Sequence, residues 1–133
     1  MLCEGSRVLN QALLVLIGGG IGSLFRYWMS IGVYALLSRS FPYGTLSVNV
    51  LGCFIMGFLY ILLFERLNGQ ADYLRALLLI GFLGGFTTFS SFSIETLSLL
   101  ENGELLKGCL NIILSFILCM AAVSLGALFG RQL

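Results

Sequence analysis

The fold of this chain is decided by residues 84–92, which read Gly-Gly-Phe-Thr-Thr-Phe-Ser-Ser-Phe. An apolar segment from Tyr73 to Leu83 precedes this stretch, and another begins within it at Ser90 and continues to Leu100. A continuous membrane span needs about 20 apolar residues, so each flank is about half a crossing. Polar, glycine-rich backbone at mid-bilayer is tolerated only where protein buries it or where it lines a cavity. The stretch therefore predicts a helix broken in mid-membrane, at residues 84–88, with a functional site at the break.

The composition is that of an integral membrane protein. Of 133 residues, 59% are hydrophobic and 10% are charged, and the mean hydropathy is +1.03, whereas soluble domains carry about 25% charged residues. Seven basic and six acidic residues leave a net charge of +1, so we expect no nucleic-acid partner. Histidine is absent, which removes the most common acid–base group, and we expect no enzymatic activity.

Apolar segments of spanning length predict one all-α transmembrane domain over residues 1–133, in the inner or plasma membrane. The predicted helices cover roughly residues 11–33, 43–64, 73–100 and 107–130. Four spans put both termini on one side, and basic residues are almost equally shared between the two sides. One side holds Arg7, Arg66, Arg75 and Arg131, and the other holds Arg39 and Lys107 with Arg26 nearby. So little bias predicts insertion in both orientations.

Glycines and cysteines recur inside these segments. Glycine pairs at i and i+4 let helices approach closely, either within one subunit or in a tightly packed oligomer. The pairs are Gly18 and Gly22, Gly81 and Gly85, and Gly126 and Gly130. The four cysteines, Cys3, Cys53, Cys109 and Cys119, form no C-x-x-C pair. Those in apolar segments are expected to behave as small buried hydrophobic residues.

Polar side chains at membrane depth are costly and usually functional, so they are the candidate site residues. They lie at helical spacing in the second and fourth segments and follow the break in the third: Thr45, Asn49, Asn111, Ser115, Cys119, Ser90, Ser91, Ser93, Thr96 and Glu95. Neutral hydrogen-bond donors suit a small anion that must lose its water. Phe89 and Phe92 share a helix face beside them, and the positive edge of an aromatic ring can meet an anion. Packing remains an equal interpretation of the two rings, as an interhelical hydrogen bond does for Asn49.

The chain resembles the CrcB/Fluc family of fluoride channels over essentially its whole length. The matching pieces are Gly18 to Ser23 with Arg26 and Tyr27, Gly44 to Asn49 with Gly52, and Gly84 to Phe92 with Glu95. The last of these pieces is the most specific.

The resemblance implies passive, fluoride-selective export through two pores at the interface of an antiparallel, dual-topology homodimer. It implies a structural sodium ion at the centre of the dimer, held by the main-chain carbonyls of Gly84 and Thr87. It assigns Asn49, Phe89 and Phe92 to the pore and Arg26 to a vestibule. The other pore-lining or pore-proximal positions that it implies are Thr45, Ser90, Ser91, Glu95, Asn111 and Ser115.

One position departs from the resemblance, and two other functions stay open. Some members of the family carry Tyr where this chain has Asn111, which keeps a donor but shortens its reach. A small dual-topology exporter coupled to protons or other cations is the main alternative. Such proteins rely on a membrane-embedded carboxylate, and the first segment has none. The third possibility is a structural membrane subunit whose polar stripes only bind partner helices.

Overall fold

Helices account for the whole fold in a computed structural model that describes residues 2–67 and 71–133. Four of its helical spans are long and apolar enough to cross a membrane: Gly5–Leu36, Tyr43–Arg66, Asp72–Glu101 and Leu105–Gln132. The chain is therefore a multi-pass membrane protein. The link predicted between the second and third spans includes residues 68–70, which lie outside the described residues.

The spans differ in their internal regularity. The first is one helix, α1 (Leu2–Leu36), and the fourth is α6 (Leu105–Gln132). The second consists of α2 (Tyr43–Ile61) and a π-helical turn, Leu62–Arg66. The third is composite: α3 (Asp72–Leu74), a π-helical segment (Arg75–Leu83), α4 (Gly84–Phe86) and α5 (Phe89–Glu101). Irregular helix is thus concentrated in the span that carries the glycine-rich stretch.

Glycines hold the helices of one subunit at backbone contact. A methyl group on Gly22 of α1 would meet the carbonyl of Phe82, and one on Gly85 would meet the carbonyl of Gly19. On the other side of the molecule, a methyl group on Gly126 of α6 would meet the carbonyl of Phe54 in α2. The i, i+4 glycines therefore serve packing within the subunit. The expectation of a tightly packed oligomer is not tested by contacts within one chain and stays a prediction.

The Gly126→Ala substitution is expected to destabilise the fold. Its methyl group would collide with backbone, and overpacking of this kind costs about 1–3 kcal/mol. The matched control is Gly32→Ala in α1, where nothing lies within 4 Å of the added carbon. That change should be neutral or stabilising by up to about 1 kcal/mol, because alanine has the higher helix propensity. Thermal unfolding in detergent measures both, and equal stability of the two variants would contradict the close contact between α2 and α6.

Arg75 joins the second and third spans where both are π-helical. Its Nε and Nη2 donate to the Leu63 carbonyl oxygen at 3.2 and 2.6 Å, and Nη1 contacts Asp72 at 3.1 Å. The guanidinium carbon lies 3.9 Å from the centroid of the Phe64 ring, which is the geometry of a cation–π contact. One side chain thus binds a carbonyl close to the end of a helix, where carbonyls often need partners from outside the helix.

A small apolar core lies directly behind the glycine-rich stretch. Val48 of α2 packs with Leu79 and Leu83 of the π-helical segment and with Phe86 of α4. Val48 and Leu83 have no exposed surface. Because Asn49 follows Val48 in the chain, burial of Val48 fixes the rotation of α2 and turns the next residue toward the end of α4.

Candidate functional site

The helical backbone of the third span is interrupted at Thr87 and Thr88. Thr87 has φ −80° and ψ 158°, and Thr88 has φ −152° and ψ 118°, so both residues are extended. The α4 helix ends at Phe86 and α5 begins at Phe89. Extended residues in a helical span free backbone groups that need other partners, since water is not available in a bilayer core.

Asn49 of α2 supplies partners for both polar groups of Thr88. Its Nδ2 donates to the Thr88 carbonyl oxygen at 2.9 Å, and the Thr88 N–H donates to its Oδ1 at 2.8 Å. In a continuous helix that N–H would bond the carbonyl of Gly84. The Asn49 amide therefore stabilises the interruption, and the Gly84 carbonyl loses its regular partner.

Other carbonyl groups near the interruption accept hydrogen bonds from side chains of α1 and from the third span itself. The Leu83 carbonyl accepts from the N–H and the hydroxyl of Thr87, each at 2.9 Å. Ser23 Oγ of α1 lies 3.5 Å from the Gly85 carbonyl oxygen, and Arg26 Nη1 lies 3.5 Å from that of Thr87. The structure thus brings Arg26 to the interruption, where its positive charge is close to an extended residue.

The first turn of α5 is capped by Thr88. Its Oγ1 accepts from the Ser91 N–H at 3.2 Å, which is the contact expected of an N-cap threonine. The same hydroxyl lies 3.2 Å from Ser90 Oγ and 3.1 Å from Ser91 Oγ. Three hydroxyls therefore gather at the positive end of the α5 dipole.

A groove of about 550 Å³ runs beside the interruption, between α2, α5 and α6. Its lining includes Asn49, Thr87, Phe89, Phe92 and Ser115, which are candidate site residues from the sequence. The rings of Phe89 and Phe92 lie 5.4 Å apart and are tilted by 42°. Asn49 keeps one N–H beyond the one that it donates to Thr88. The groove thus combines neutral donors with aromatic rings.

Glu95 and Thr45 lie together, away from this groove. The Thr45 hydroxyl donates to Glu95 Oε1 at 2.8 Å. Glu95 Oε2 is buried and has no hydrogen-bond partner among the described residues. Glu95 also lines a separate cavity of about 300 Å³ near Tyr34 and Arg39. The carboxylate therefore lies at one end of the bundle rather than beside the interruption.

The Asn111 side chain forms a hydrogen bond between α6 and α5. Its side chain is buried, and Nδ2 donates to the Thr96 hydroxyl at 2.8 Å. That hydroxyl in turn donates to the Phe92 carbonyl at 2.7 Å. Asn111 thus does not line the groove and reaches Phe92 only through Thr96.

Comparison with known proteins identifies the family. The family model described as "CrcB-like protein, Camphor Resistance (CrcB)" matches residues 13–127, which include every residue described as lining the groove. The chain belongs to the CrcB-like family.

Curated relatives carry a more specific name. A protein of Methylococcus capsulatus named "Fluoride-specific ion channel FluC" is 52% identical over 119 residues, which are 90% of this chain and 52% of that protein. A Coxiella burnetii protein of the same name is 52% identical over 123 residues, or 92% of this chain and 99% of that protein. A third, from Magnetococcus marinus, is 50% identical over 117 residues. The chain thus spans about half of the Methylococcus relative and nearly all of the Coxiella relative.

The CrcB-like chain also has site features that its sequence did not reveal. Thr88 was not among the candidates, although a threonine just before a helical segment is a typical N-cap signal. Four sulfur-containing side chains line the groove: Cys53, Met56, Cys119 and Met120. Cys53 and Cys119 are partly exposed and Cys109 is exposed, so the expectation that cysteines in apolar segments are buried was wrong for all three.

Proposed function

We propose that this chain is a fluoride channel and that the groove is part of its ion path. The observation that carries the proposal is the convergence of Asn49, Ser115, Phe89 and Phe92 on one groove beside the interrupted helix. The relatives named as fluoride-specific ion channels support fluoride as the ion. With this function, the interruption at Thr87 and Thr88 is a break of the third helix within the membrane.

The chemistry of the groove suits a small, strongly hydrated anion. Amide and hydroxyl groups donate hydrogen bonds without carrying charge, so they replace water without holding the ion too tightly. Edges of the Phe89 and Phe92 rings are electropositive, and the N-terminal end of α5 adds positive potential. Among the residues that the structure describes, no carboxylate lines the groove. These features together favour an anion over a cation in this path.

We also propose that the channel is an antiparallel, dual-topology homodimer with two pores at its interface. One copy leaves the flanks of the interruption uncovered, since Phe89 is 78% exposed and Gly84 and Ser90 are exposed as well. Irregular backbone at membrane depth needs protein or a cavity beside it. A cysteine introduced at Arg39, in a background without the native cysteines, should be labelled from both sides of the membrane. Labelling from one side only would contradict dual topology.

A structural sodium ion at the dimer centre is the third part of the proposal. The Gly84 carbonyl has lost its regular partner to Asn49, and no described atom outside the backbone of its own helix lies within 4 Å of the position that a Gly84 Cβ would take. The Thr87 carbonyl keeps a lone pair besides the long contact with Arg26. These residues fit a hard cation, which prefers oxygen ligands. These are two carbonyls from one copy, so two copies together would supply four ligands for the ion. The bound sodium ion stabilises the interruption and is not transported.

The decisive experiment is ion efflux from liposomes that contain the purified protein. Fluoride should leave when a potassium shunt is supplied, and chloride should stay inside. Equal loss of both ions would contradict selectivity. Loss driven by an imposed proton gradient would instead support the coupled exporter, and no loss of any ion would support a structural subunit.

The same liposomes test the sodium ion. When sodium is replaced throughout by a large organic cation, fluoride flux should fall, and added sodium should restore it. Flux and dimer stability that are the same in both solutions would rule out the sodium part of the proposal.

A further inference from the structure

Sulfur is concentrated in the lining of the groove. Two of the four cysteines and two of the four methionines of the chain line it: Cys53, Met56, Cys119 and Met120. The thiols of Cys53 and Cys119 are free and partly exposed. They belong to different helices, and the Cys119 side chain lies beside that of Cys53, close enough for the two to interact. Two neighbouring thiols and two thioethers in the lining of one groove form a set of possible sulfur ligands, whereas isolated cysteines would only fill space.

The backbone around this pair is rigid. A methyl group on Gly126 of α6 would meet the carbonyl of Phe54, the residue after Cys53. One on Gly57 of α2 would meet the carbonyl of Val123, one turn beyond Cys119. Both contacts lie on the C-terminal side of the thiols on each helix, and they fix the separation of α2 and α6 there. Two ligands held in place before binding lose little entropy when they bind an ion.

We propose that Cys53 and Cys119 bind a soft monovalent cation of the copper(I) class, with the thioethers of Met56 and Met120 as supporting ligands. Thiolate and thioether sulfur select copper(I) and similar ions, whereas hard ions such as sodium select oxygen. On binding, at least one thiol gives its proton to the solvent, because the thiolate is the ligand. One thiolate and one monovalent cation leave a neutral complex, which costs little in a partly buried groove.

The position of the site gives it a consequence for transport, and this step rests on the proposed function. Cys53 lies four residues after Asn49 in α2, and Cys119 lies four residues after Ser115 in α6. Residues four apart share a helix face. The sulfur pair is therefore one turn along the groove from the polar donors on both helices. An ion held there narrows the path, so soft metal ions should block fluoride flux.

Silver(I) in chloride-free buffer is the probe, because it is soft, monovalent and not redox-active under these conditions. The parent protein for the test carries Cys3→Ser and Cys109→Ser, which leaves only the proposed pair. After incubation with silver nitrate and an excess of glutathione, gel filtration and elemental analysis should find about one silver ion per chain. The single variants Cys53→Ser and Cys119→Ser should retain at least tenfold less, since one thiol competes poorly with glutathione.

Two readouts separate this inference from the proposed function. Silver retained equally by the parent and by both single variants, or retained by none of them, would overturn the metal site. If silver binds the parent but its fluoride flux is unchanged, the proposed block of flux is wrong and the proposed metal site is retained. If the protein carries no fluoride at all, the channel proposal fails, and the binding measurement still decides the metal site.

Discussion

The Asn49→Asp substitution should reduce fluoride flux by more than about 100-fold. A fixed negative charge about 4 Å from an anion costs about 4 kcal/mol at an effective dielectric constant of 20. The aspartate also has no N–H for the Thr88 carbonyl, which accepts from Asn49 at 2.9 Å. Its oxygen can still accept from the Thr88 N–H, so the interruption keeps one of its two bonds. The flux from liposomes, measured on protein that still elutes as the unaltered assembly, gives the result.

The control for this charge is Asn102→Asp. Asn102 follows the end of α5 and is exposed, with its side chain 3.4 Å from the Ser98 hydroxyl. The same chemical change there should leave flux unaltered, because an exposed charge outside the groove is screened. If Asn49→Asp conducts as well as Asn102→Asp, the Asn49 amide does not face the ion.

The variants Phe89→Ile and Phe92→Ile should each lower flux by about tenfold, since an aromatic interaction is worth about 0.5–1.5 kcal/mol beyond burial. Isoleucine keeps apolar bulk but has no ring edge. Phe89 is largely exposed in one copy, so its loss costs little core packing. The expected signature is reduced flux with an unchanged unfolding temperature. Stopped-flow or electrode measurement of fluoride efflux resolves a change of this size.

Phe129→Ile in α6 is the matched control for the rings. Phe129 packs against Phe54 with ring centroids 6.0 Å apart and does not line the groove. This change should affect stability slightly and flux not at all. Should Phe89→Ile and Phe92→Ile also conduct at the unaltered rate, the two rings serve packing alone.

Local sequence patterns predicted much of the architecture. Apolar length predicted four membrane-spanning helices, and this is confirmed. The interruption between Phe86 and Phe89 lies in the stretch where a break was predicted, because glycine and threonine there weaken helix and offer local hydrogen bonds. Its depth in a bilayer and the ion that passes it remain predictions. Spacing also placed Asn49, Phe89, Phe92 and Ser115 as candidates, and the structure brings them to one groove.

Sequence patterns could not predict contacts between residues that are distant in the chain, because these contacts depend on how each helix is rotated about its axis. Nothing local pairs Asn49 with the backbone of Thr88, or Asn111 with Thr96. For the same reason Arg26, expected at a vestibule, is found beside the Thr87 carbonyl. Glycine spacing predicts that another helix approaches closely but does not identify that helix. The same spacing is therefore expected whether the neighbouring helix belongs to the same subunit or to another one.

The two bonds between Asn49 and Thr88 also set the angular register of α5. They anchor the residue immediately before this helix to a fixed point on α2. A helix turns by about 100° per residue, so one residue inserted after Thr88 would swing Phe89 and Phe92 to another side of α5. A deletion would do the same in the opposite sense. The number of residues between Thr88 and the two phenylalanines is therefore as strict a requirement as the identity of their side chains. Phe89 and Phe92 face the groove only while that number is unchanged.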